Sequence, residues 1–216
     1  MSFPSRTQVR WIIKPLWFAA CLAPFVWMCL LAFGLAGDGL GPDPIEATQD
    51  FVGIWALRLL LATLALTPLR QLTGWLWLFN LRRMTGLFAL FYASLHFLNY
   101  IGPDQGLDLA AIIEDITERT FITVGAVALG GLLLLGITST QGWQRRLRRN
   151  WQRLHRFVYI AAGLAVWHFW WQVKSDYTEP LVYALILAAL LAARPLLRWR
   201  ASAARHAGAT AVKSAE

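Results

Sequence analysis

The feature that most constrains this chain is a series of six apolar stretches from which charge is nearly absent. Each is close to the roughly 20 residues that an α-helix needs to cross the hydrocarbon core of a bilayer. The sequence therefore predicts an all-α, polytopic membrane bundle of six transmembrane helices. The stretches lie at about 15–35, 51–69, 84–101, 120–138, 155–173 and 180–197.

The composition agrees with a membrane protein and not with a helical bundle in water, which length alone would allow. Of the residues, 57% are apolar, and many of the 12 tryptophans fall near predicted helix ends. Tryptophan is enriched at both membrane–water interfaces, where it forms aromatic belts. Residues 1–14 would then be a cytoplasmic N-terminal segment, 15–199 the transmembrane domain, and 200–216 a disordered cytoplasmic tail.

The net charge of +8 indicates a membrane topology and not a nucleic-acid partner. If six helices alternate in direction, 17 of the 20 basic residues fall on one side and 11 of the 12 acidic residues on the other. Cytoplasmic loops carry the excess of Lys and Arg, so the basic side and both termini are predicted to be cytoplasmic. Membrane lipid is an expected partner on that side, and nucleic acid is not.

The first apolar stretch is interpreted as a retained helix. It follows a basic lead, as in a signal peptide, but its apolar run exceeds the roughly 7–15 residues of a signal core. Cys21 and Cys29 lie within it at a spacing that fits neither a metal site nor a disulfide framework, so packing is the expected role of both. No internal repeat stands out along the chain.

Three of the four histidines, His96, His155 and His168, lie inside or at the edge of membrane-length segments. An ionisable side chain within a membrane helix is costly and marks a functional site by default. Neutral imidazole is also the commonest metal ligand and an axial ligand of haem iron. The sequence therefore predicts a membrane-embedded cytochrome, with these three histidines as candidate iron ligands.

The spacing of the histidines divides them into a pair and a single residue. His96 lies 13 residues after Arg83, and His168 lies 13 residues after His155, on two helices predicted to run in the same direction. At 1.5 Å per residue each interval spans roughly 20 Å, so His96 and His168 share a depth near the outer face. Such a pair can clamp one haem iron between two helices.

His155 lies near the inner face and cannot join that pair. It could ligate a second haem with a weaker or non-protein ligand, or it could support a quinone or flavin site. Thirteen residues at about 100° each also leave His155 and His168 some 140° apart on an ideal helix. Either this helix winds irregularly, or the two histidines address different surroundings.

Two other interpretations of the histidines stay open at this point. Zinc competes with haem, but a closed zinc site needs about four ligands, and no cysteine or carboxylate lies at the depth of the pair. The histidines could also be core residues with satisfied hydrogen bonds. Arg58 is a further anomaly inside an apolar segment: it either extends outward to the interface or pairs with a haem propionate.

Four stretches of the chain resemble the MsrQ (YedZ) family of haem-binding membrane subunits, within the wider ferric-reductase-like transmembrane family. The combination of an RRxxGL…YxxLH pattern with a WxxLHRxxY…H pattern is far more specific than a lone histidine pair. The stretches are LTPLR (66–70), LRRMTGLFALFYASLHF (81–97), residues 138–149 and NWQRLHRFVYIAAGLAVWHFWWQVK (150–174).

This resemblance implies a b-type haem protein of the bacterial inner membrane, with one haem or two. It would pass electrons from the quinone pool to a periplasmic, molybdopterin-containing reductase of the MsrP type that repairs oxidised methionines. FMN is implied by resemblance alone, because no phosphate-cradling glycine loop is present. The fuller pattern has two histidines on each of two helices; Arg83 stands where this chain lacks one and is a candidate cofactor-binding residue there.

A non-catalytic electron-transfer subunit is the function that these observations favour, and no catalytic residue is assigned. A bis-histidine iron has no open position for substrate, which favours electron transfer over oxygen chemistry. The alternatives are a stand-alone transmembrane ferric or metal reductase, and a haem carrier or structural membrane anchor. The acidic outer loops could dock a partner, or they could serve solvation and topology alone.

Overall fold

The computed structural model describes the backbone of residues 4–213 and the side chains of residues 4–197 and Trp199. Within that range every regular element is helical, as predicted. The helices are α1 (Arg6–Gln8), α2 (Lys14–Ala32), α3 (Pro44–Thr73), α4 (Phe79–Asn99), α5 (Leu109–Glu118), α6 (Thr120–Ile137), α7 (Gln141–Leu147), α8 (Arg149–His155), α9 (Phe157–Gln172) and α10 (Thr178–Lys213). A π-helical turn, Val9–Ile13, joins α1 to α2, a 3₁₀ turn, Leu76–Leu78, precedes α4, and a second π turn, Tyr100–Asp104, follows it.

The long helix α3 begins and ends at residues suited to those positions. Asp43 caps its start by accepting hydrogen bonds from the backbone N–H groups of Ile45 and Glu46, and Pro44 takes the first helical position. Gly74 ends the helix with φ 73°, a left-handed conformation that glycine adopts without a steric penalty. These signals fix the length of the helix that carries one side of the candidate site.

The bundle is organised around two helix pairs. The helices α3 and α4 pack against each other along their lengths, and so do α6 and α9. The pairs meet through contacts of α4 with α6 and of α3 with α9. Helix α2 covers α3 and α4, and α10 covers α3 and α9. The four central helices therefore enclose the interior in which His96 and His168 lie.

Five of the six predicted membrane helices are long and apolar enough to cross a bilayer. They are Arg6–Ala32, Pro44–Thr73, Leu76–Asp104, Thr120–Ile137 and Thr178–Leu197. The sixth, α9, has 16 residues and spans about 24 Å, which is short of a full crossing. The chain is thus a multi-pass membrane protein, while the count of six and the cytoplasmic termini stay predictions.

The predicted span 155–173 is interrupted at its start. Helix α8 ends at His155, a turn follows at Arg156, and α9 begins at Phe157. The roughly 140° offset between the two histidines left two alternatives, and an irregularity of the helix, the first of them, is present. As a result, His155 belongs to a different helix from His168.

A buried tyrosine connects α4 to the proline-containing part of α2. Tyr92 is fully buried, and its hydroxyl donates to the Cys21 carbonyl (3.0 Å) while it accepts from the Phe25 N–H (2.8 Å). It bridges a donor and an acceptor one helical turn apart, beside Pro24, which has no N–H of its own. Cys21 is buried in this packing, the role expected for it.

The last helix continues beyond the predicted membrane domain. The structure describes residues 200–213 as part of α10, whereas the sequence favoured a disordered tail from 200 onward. Alanine is frequent in this segment and is the strongest helix former, which accounts for the difference. Residues 214–216 lie outside the described residues.

Candidate functional site

His96 and His168 are neighbours in the interior of the bundle. His96 extends from α4 and His168 from α9, and their ring centroids are 6.0 Å apart with the ring planes at 84°. The sequence placed the two residues at equal depth on parallel helices, and the structure brings them together across the boundary between the two helix pairs.

Each histidine of this pair has one ring nitrogen hydrogen-bonded to a backbone carbonyl of its partner helix. His96 Nδ1 lies 3.0 Å from the Gln49 carbonyl oxygen, and His168 Nδ1 lies 2.7 Å from that of Phe121. A carbonyl can only accept, so both Nδ1 atoms carry the proton. The tautomer is thereby fixed with a lone pair on Nε2, the arrangement in which an imidazole can ligate a metal.

Gln49 contacts His96 a second time, through its side chain. Its amide nitrogen lies 3.3 Å from His96 Nε2, and its amide oxygen accepts a hydrogen bond from Asn99 Nδ2 at 2.9 Å. Asn99 Nδ2 also donates to the Ile45 carbonyl. This small network holds the outer end of α4 against the start of α3 and fixes the orientation of the His96 ring.

A glycine on the neighbouring helix lies directly against each imidazole ring. A Cβ atom added to Gly53 would lie 2.8 Å from His96 Nδ1, and one added to Gly125 would lie 2.9 Å from His168 Nδ1. Real Cβ atoms essentially never approach so closely. Only glycine at these two positions allows the rings to occupy their present places.

The two halves of the site repeat at a constant offset. Gln49 and Phe121, Gly53 and Gly125, and His96 and His168 are each separated by 72 positions, and each histidine lies 47 residues after its carbonyl partner. The interpretation that the chain has no internal repeat was therefore incomplete. The repeat includes the carbonyl partners, the glycines and the histidines. Some flanking apolar residues also match at this offset, such as Leu57 with Leu129 and Phe97 with Phe169. At the same offset Arg83 corresponds to His155.

We expect Gly125→Ala to displace the His168 ring. Haem affinity should then fall about tenfold or more, as it does when a residue that orients a metal ligand is lost. Gly130→Ala on the same helix is the matched control, because a Cβ there meets nothing within 4 Å. Haem retained per purified chain measures the effect. Equal retention by the two variants would contradict this role for Gly125.

His155 lies apart from the pair, beside the C-terminal end of α6. Its Nε2 is 3.2 Å from Thr138 Oγ1, and its ring stacks on Trp151 with centroids 4.0 Å apart. Trp151 also donates to the Thr138 carbonyl at 2.8 Å. The structure thus places His155 in an aromatic and hydroxyl-lined position, half-buried, and does not bring it to His96 and His168.

Arg58 and Arg83 are also separate from the histidine pair. Arg58 extends toward α10, where its Nε donates to the Tyr183 hydroxyl at 2.8 Å, and its guanidinium lies over the Trp55 ring. Arg83 has an exposed side chain near the start of α4. The pairing of Arg58 with a haem propionate and the cofactor role of Arg83 stay predictions.

An acidic cavity of about 340 Å³ opens next to the histidine pair. Four carboxylates lie around it, and Gln49 connects it to the pair, because the same side chain lines the cavity and contacts His96. The lining residues are Asp43, Ile45, Glu46, Gln49, Asp50, Asp104 and Gln172. The pair therefore lies close to the acidic face of the protein.

The donor set at the pair fits haem. Among the described residues no three His, Cys, Asp or Glu side chains meet in a way that could hold a metal ion, so a site built from protein ligands alone, as for zinc, has too few donors. A porphyrin supplies four equatorial nitrogens itself and needs two axial ligands. His96 and His168, whose ring centroids are 6.0 Å apart, would supply those two ligands.

Sequence reasoning missed Gly53, Gly125 and the two carbonyl partners. Carbonyl partners leave no trace in residue type, since any residue provides one. The glycines did leave a signal: the chain compared with itself at the offset of the two histidines aligns Gly53 with Gly125. The sequence does not show what a glycine in a helix faces. Only the positions of the two imidazole rings show that Gly53 and Gly125 differ from the other glycines.

Comparison with known proteins agrees with this architecture. Residues 52–166 match the family described as the ferric reductase like transmembrane component. The chain is 51% identical over 193 residues to the protein-methionine-sulfoxide reductase heme-binding subunit MsrQ of Xanthomonas campestris pv. campestris (strain 8004), covering 87% of this chain and 88% of that protein. It is 49% identical over 191 residues to the MsrQ of Bordetella pertussis, covering 87% and 91%.

The family match spans more than half of the chain and contains His96 and His155, with His168 just beyond it. No solved structure matches the chain. The similarity to the two MsrQ proteins extends over nearly the whole membrane bundle. The chain belongs to the MsrQ family of ferric-reductase-like transmembrane proteins.

Proposed function

We propose that this protein is a membrane b-type cytochrome that carries electrons from the quinone pool across the bacterial inner membrane to a periplasmic methionine sulfoxide reductase. The observation that carries the proposal is the pair of neighbouring imidazoles, each with Nδ1 bonded to a carbonyl, so that the lone pair lies on Nε2. At His96 the Gln49 side-chain amide lies against that lone pair and would have to move aside for a ligand. The catalytic partner is proposed to be a molybdopterin enzyme of the MsrP type, which would complete the repair of oxidised periplasmic proteins.

In this proposal His96 and His168 are the axial ligands of one haem b. Bound haem supplies a one-electron carrier with no open coordination position, suited to electron transfer. The carbonyls of Gln49 and Phe121 orient the two rings, and Gly53 and Gly125 give them room. Because α4 and α9 belong to different helix pairs, the ligands also join the two pairs.

Electron entry is proposed at the opposite end of the bundle, around His155. A half-buried, neutral imidazole at a helix end can accept a proton, as quinol oxidation requires. A second haem that uses His155 is the other arrangement consistent with the position of this residue. FMN is proposed only by analogy with the family.

Electron delivery is proposed at the acidic cavity. Its four carboxylates lie next to Gln49, which contacts His96, so a protein docked there would approach the histidine pair. A partner with a basic surface around its electron-accepting group would be attracted to this face. Charge complementarity of this kind raises the association rate and is weakened by salt.

One experiment separates the proposed function from a stand-alone metal reductase. The protein in proteoliposomes, reduced by a quinol, is offered either a purified periplasmic methionine sulfoxide reductase or a ferric chelate. We expect rapid oxidation by the reductase, slowed at high ionic strength, and slow oxidation by the chelate. Faster oxidation by the chelate would support the metal reductase, and no haem reduction by quinol would contradict the proposed donor.

A further inference from the structure

A second, smaller cavity lies at the other end of the α3–α4 pair. It measures about 70 Å³ and is lined by Leu66, Thr67 and Arg70 from α3 and by Phe79 and Arg82 from α4. The chain turns between the two helices at Gly74, and Trp75 and Trp77 stack on each other in that turn. Tryptophans of this kind are typical of the headgroup level of a membrane, so the cavity lies at the basic, inner interface.

The cavity combines two positive charges with no negative one. Arg70 and Arg82 both line it and are close enough to repel each other. No lining residue is acidic, and neither arginine forms an ion pair with a carboxylate in the part of the chain that the structure describes. Two half-buried cations brought together raise the energy of the fold unless an anion lies between them.

The lining donors outnumber the two oxygens of a carboxylate and suit the larger oxygen set of a phosphate group. Guanidinium groups bind phosphate through paired hydrogen bonds, and the Thr67 hydroxyl adds a third donor. A cavity needs roughly 10–15 Å³ of such volume to hold one water, so about 70 Å³ has room for a single phosphate group and is small for a flavin ring. Phe79 is 60% exposed beside it and offers an apolar surface on which an acyl chain could pack.

We propose that Arg70, Arg82 and Thr67 form a binding site for one phosphate group, presented by an anionic phospholipid of the inner leaflet. Basic pockets between membrane helices on the cytoplasmic side bind anionic headgroups in this way. The site ties the α3–α4 turn to the membrane surface and neutralises the repulsion between the two arginines. This inference is independent of haem binding and electron transfer.

The test compares lipid binding by the purified full-length protein in an uncharged detergent. Native mass spectrometry counts bound phosphatidylglycerol against phosphatidylcholine for the wild type and for Arg70→Gln/Arg82→Gln. The control is Arg145→Gln/Arg149→Gln, which removes two exposed charges from the neighbouring basic segment. We expect the first double variant to bind phosphatidylglycerol about 30-fold more weakly or worse, while the control, whose exposed charges are screened by solvent, loses clearly less. Equal loss in the two double variants would overturn the proposal.

Two further measurements make the result decisive. Circular dichroism of the double variants shows whether the helices are retained, so that a folding defect is distinguished from loss of a site. Thermal protection of the wild type by phosphatidylglycerol would support the lipid as the ligand, whereas protection by inorganic phosphate alone would overturn the lipid as its source. Equal phosphatidylglycerol binding by all three proteins, or protection by neither ligand, would overturn the proposal.

Discussion

Alanine at either His96 or His168 is expected to abolish most of the b-type haem absorbance of the purified protein. Each residue would supply one of the two axial bonds to the same iron, and no third histidine lies near the pair among the described residues. Loss of an outer-shell partner alone weakens a metal site about 10- to 100-fold, so loss of a ligand should weaken it by at least about 100-fold.

His155→Ala is the control for this prediction, because it removes a histidine that lies away from the pair. Haem per chain and the reduced-minus-oxidised spectrum are measured for all three variants beside the wild type. Added imidazole should restore part of the absorbance of His96→Ala, because it can fill the space that the ring leaves. Normal low-spin spectra in both His96→Ala and His168→Ala would rule out ligation by the pair.

The second large effect is expected at His155. Its replacement by alanine should leave the haem at His96 and His168 bound and reducible by dithionite, because His155 lies roughly 20 Å along the helical path from His168. Reduction by quinol, and delivery to the periplasmic partner, should slow at least about tenfold, as expected when a positioned proton acceptor is lost. If His155 ligates an inner haem, total haem per chain should fall as well.

Quinol-driven reduction and haem content are measured in the same preparation of this variant. Arg153→Gln is a suitable control, because it alters an exposed residue of the same short helix without touching His155. Thr138→Val removes the hydroxyl next to His155 Nε2 and should give a smaller effect in the same direction. Wild-type rates and wild-type haem content in His155→Ala would leave it an ordinary helix-end residue.

Much of the fold could be predicted because membrane helices obey a length rule and a charge rule. Charge-free stretches locate the long helices, and equal depth on two parallel helices is enough to predict that His96 and His168 meet. The continuation of α10 to Lys213 was not predicted, since polar composition was weighed above the helix propensity of the alanines there. The domain boundaries at 14 and 199 stay predictions. The interruption at Arg156 was indicated only indirectly, through the angle between His155 and His168.

The finer parts of the site depended on tertiary contacts. The carbonyls of Gln49 and Phe121 can be identified only when α3 and α6 are packed beside the histidines. The depth of Arg58 in the membrane follows from the sequence, but its contact with Tyr183 depends on how α10 packs. Depth increases steadily along a membrane helix and can be counted from the sequence, whereas the partner of a side chain is decided by the neighbouring helices.

The measurement that tests the central claim most directly is near-infrared magnetic circular dichroism of the oxidised wild-type protein, with haem counted per chain. This spectrum reports the chemical identity of both axial ligands of a low-spin haem iron. We predict at least one haem per chain with bis-histidine ligation, lost in His96→Ala and in His168→Ala. A high-spin iron, a non-histidine axial ligand, or a purified protein without haem would contradict that claim.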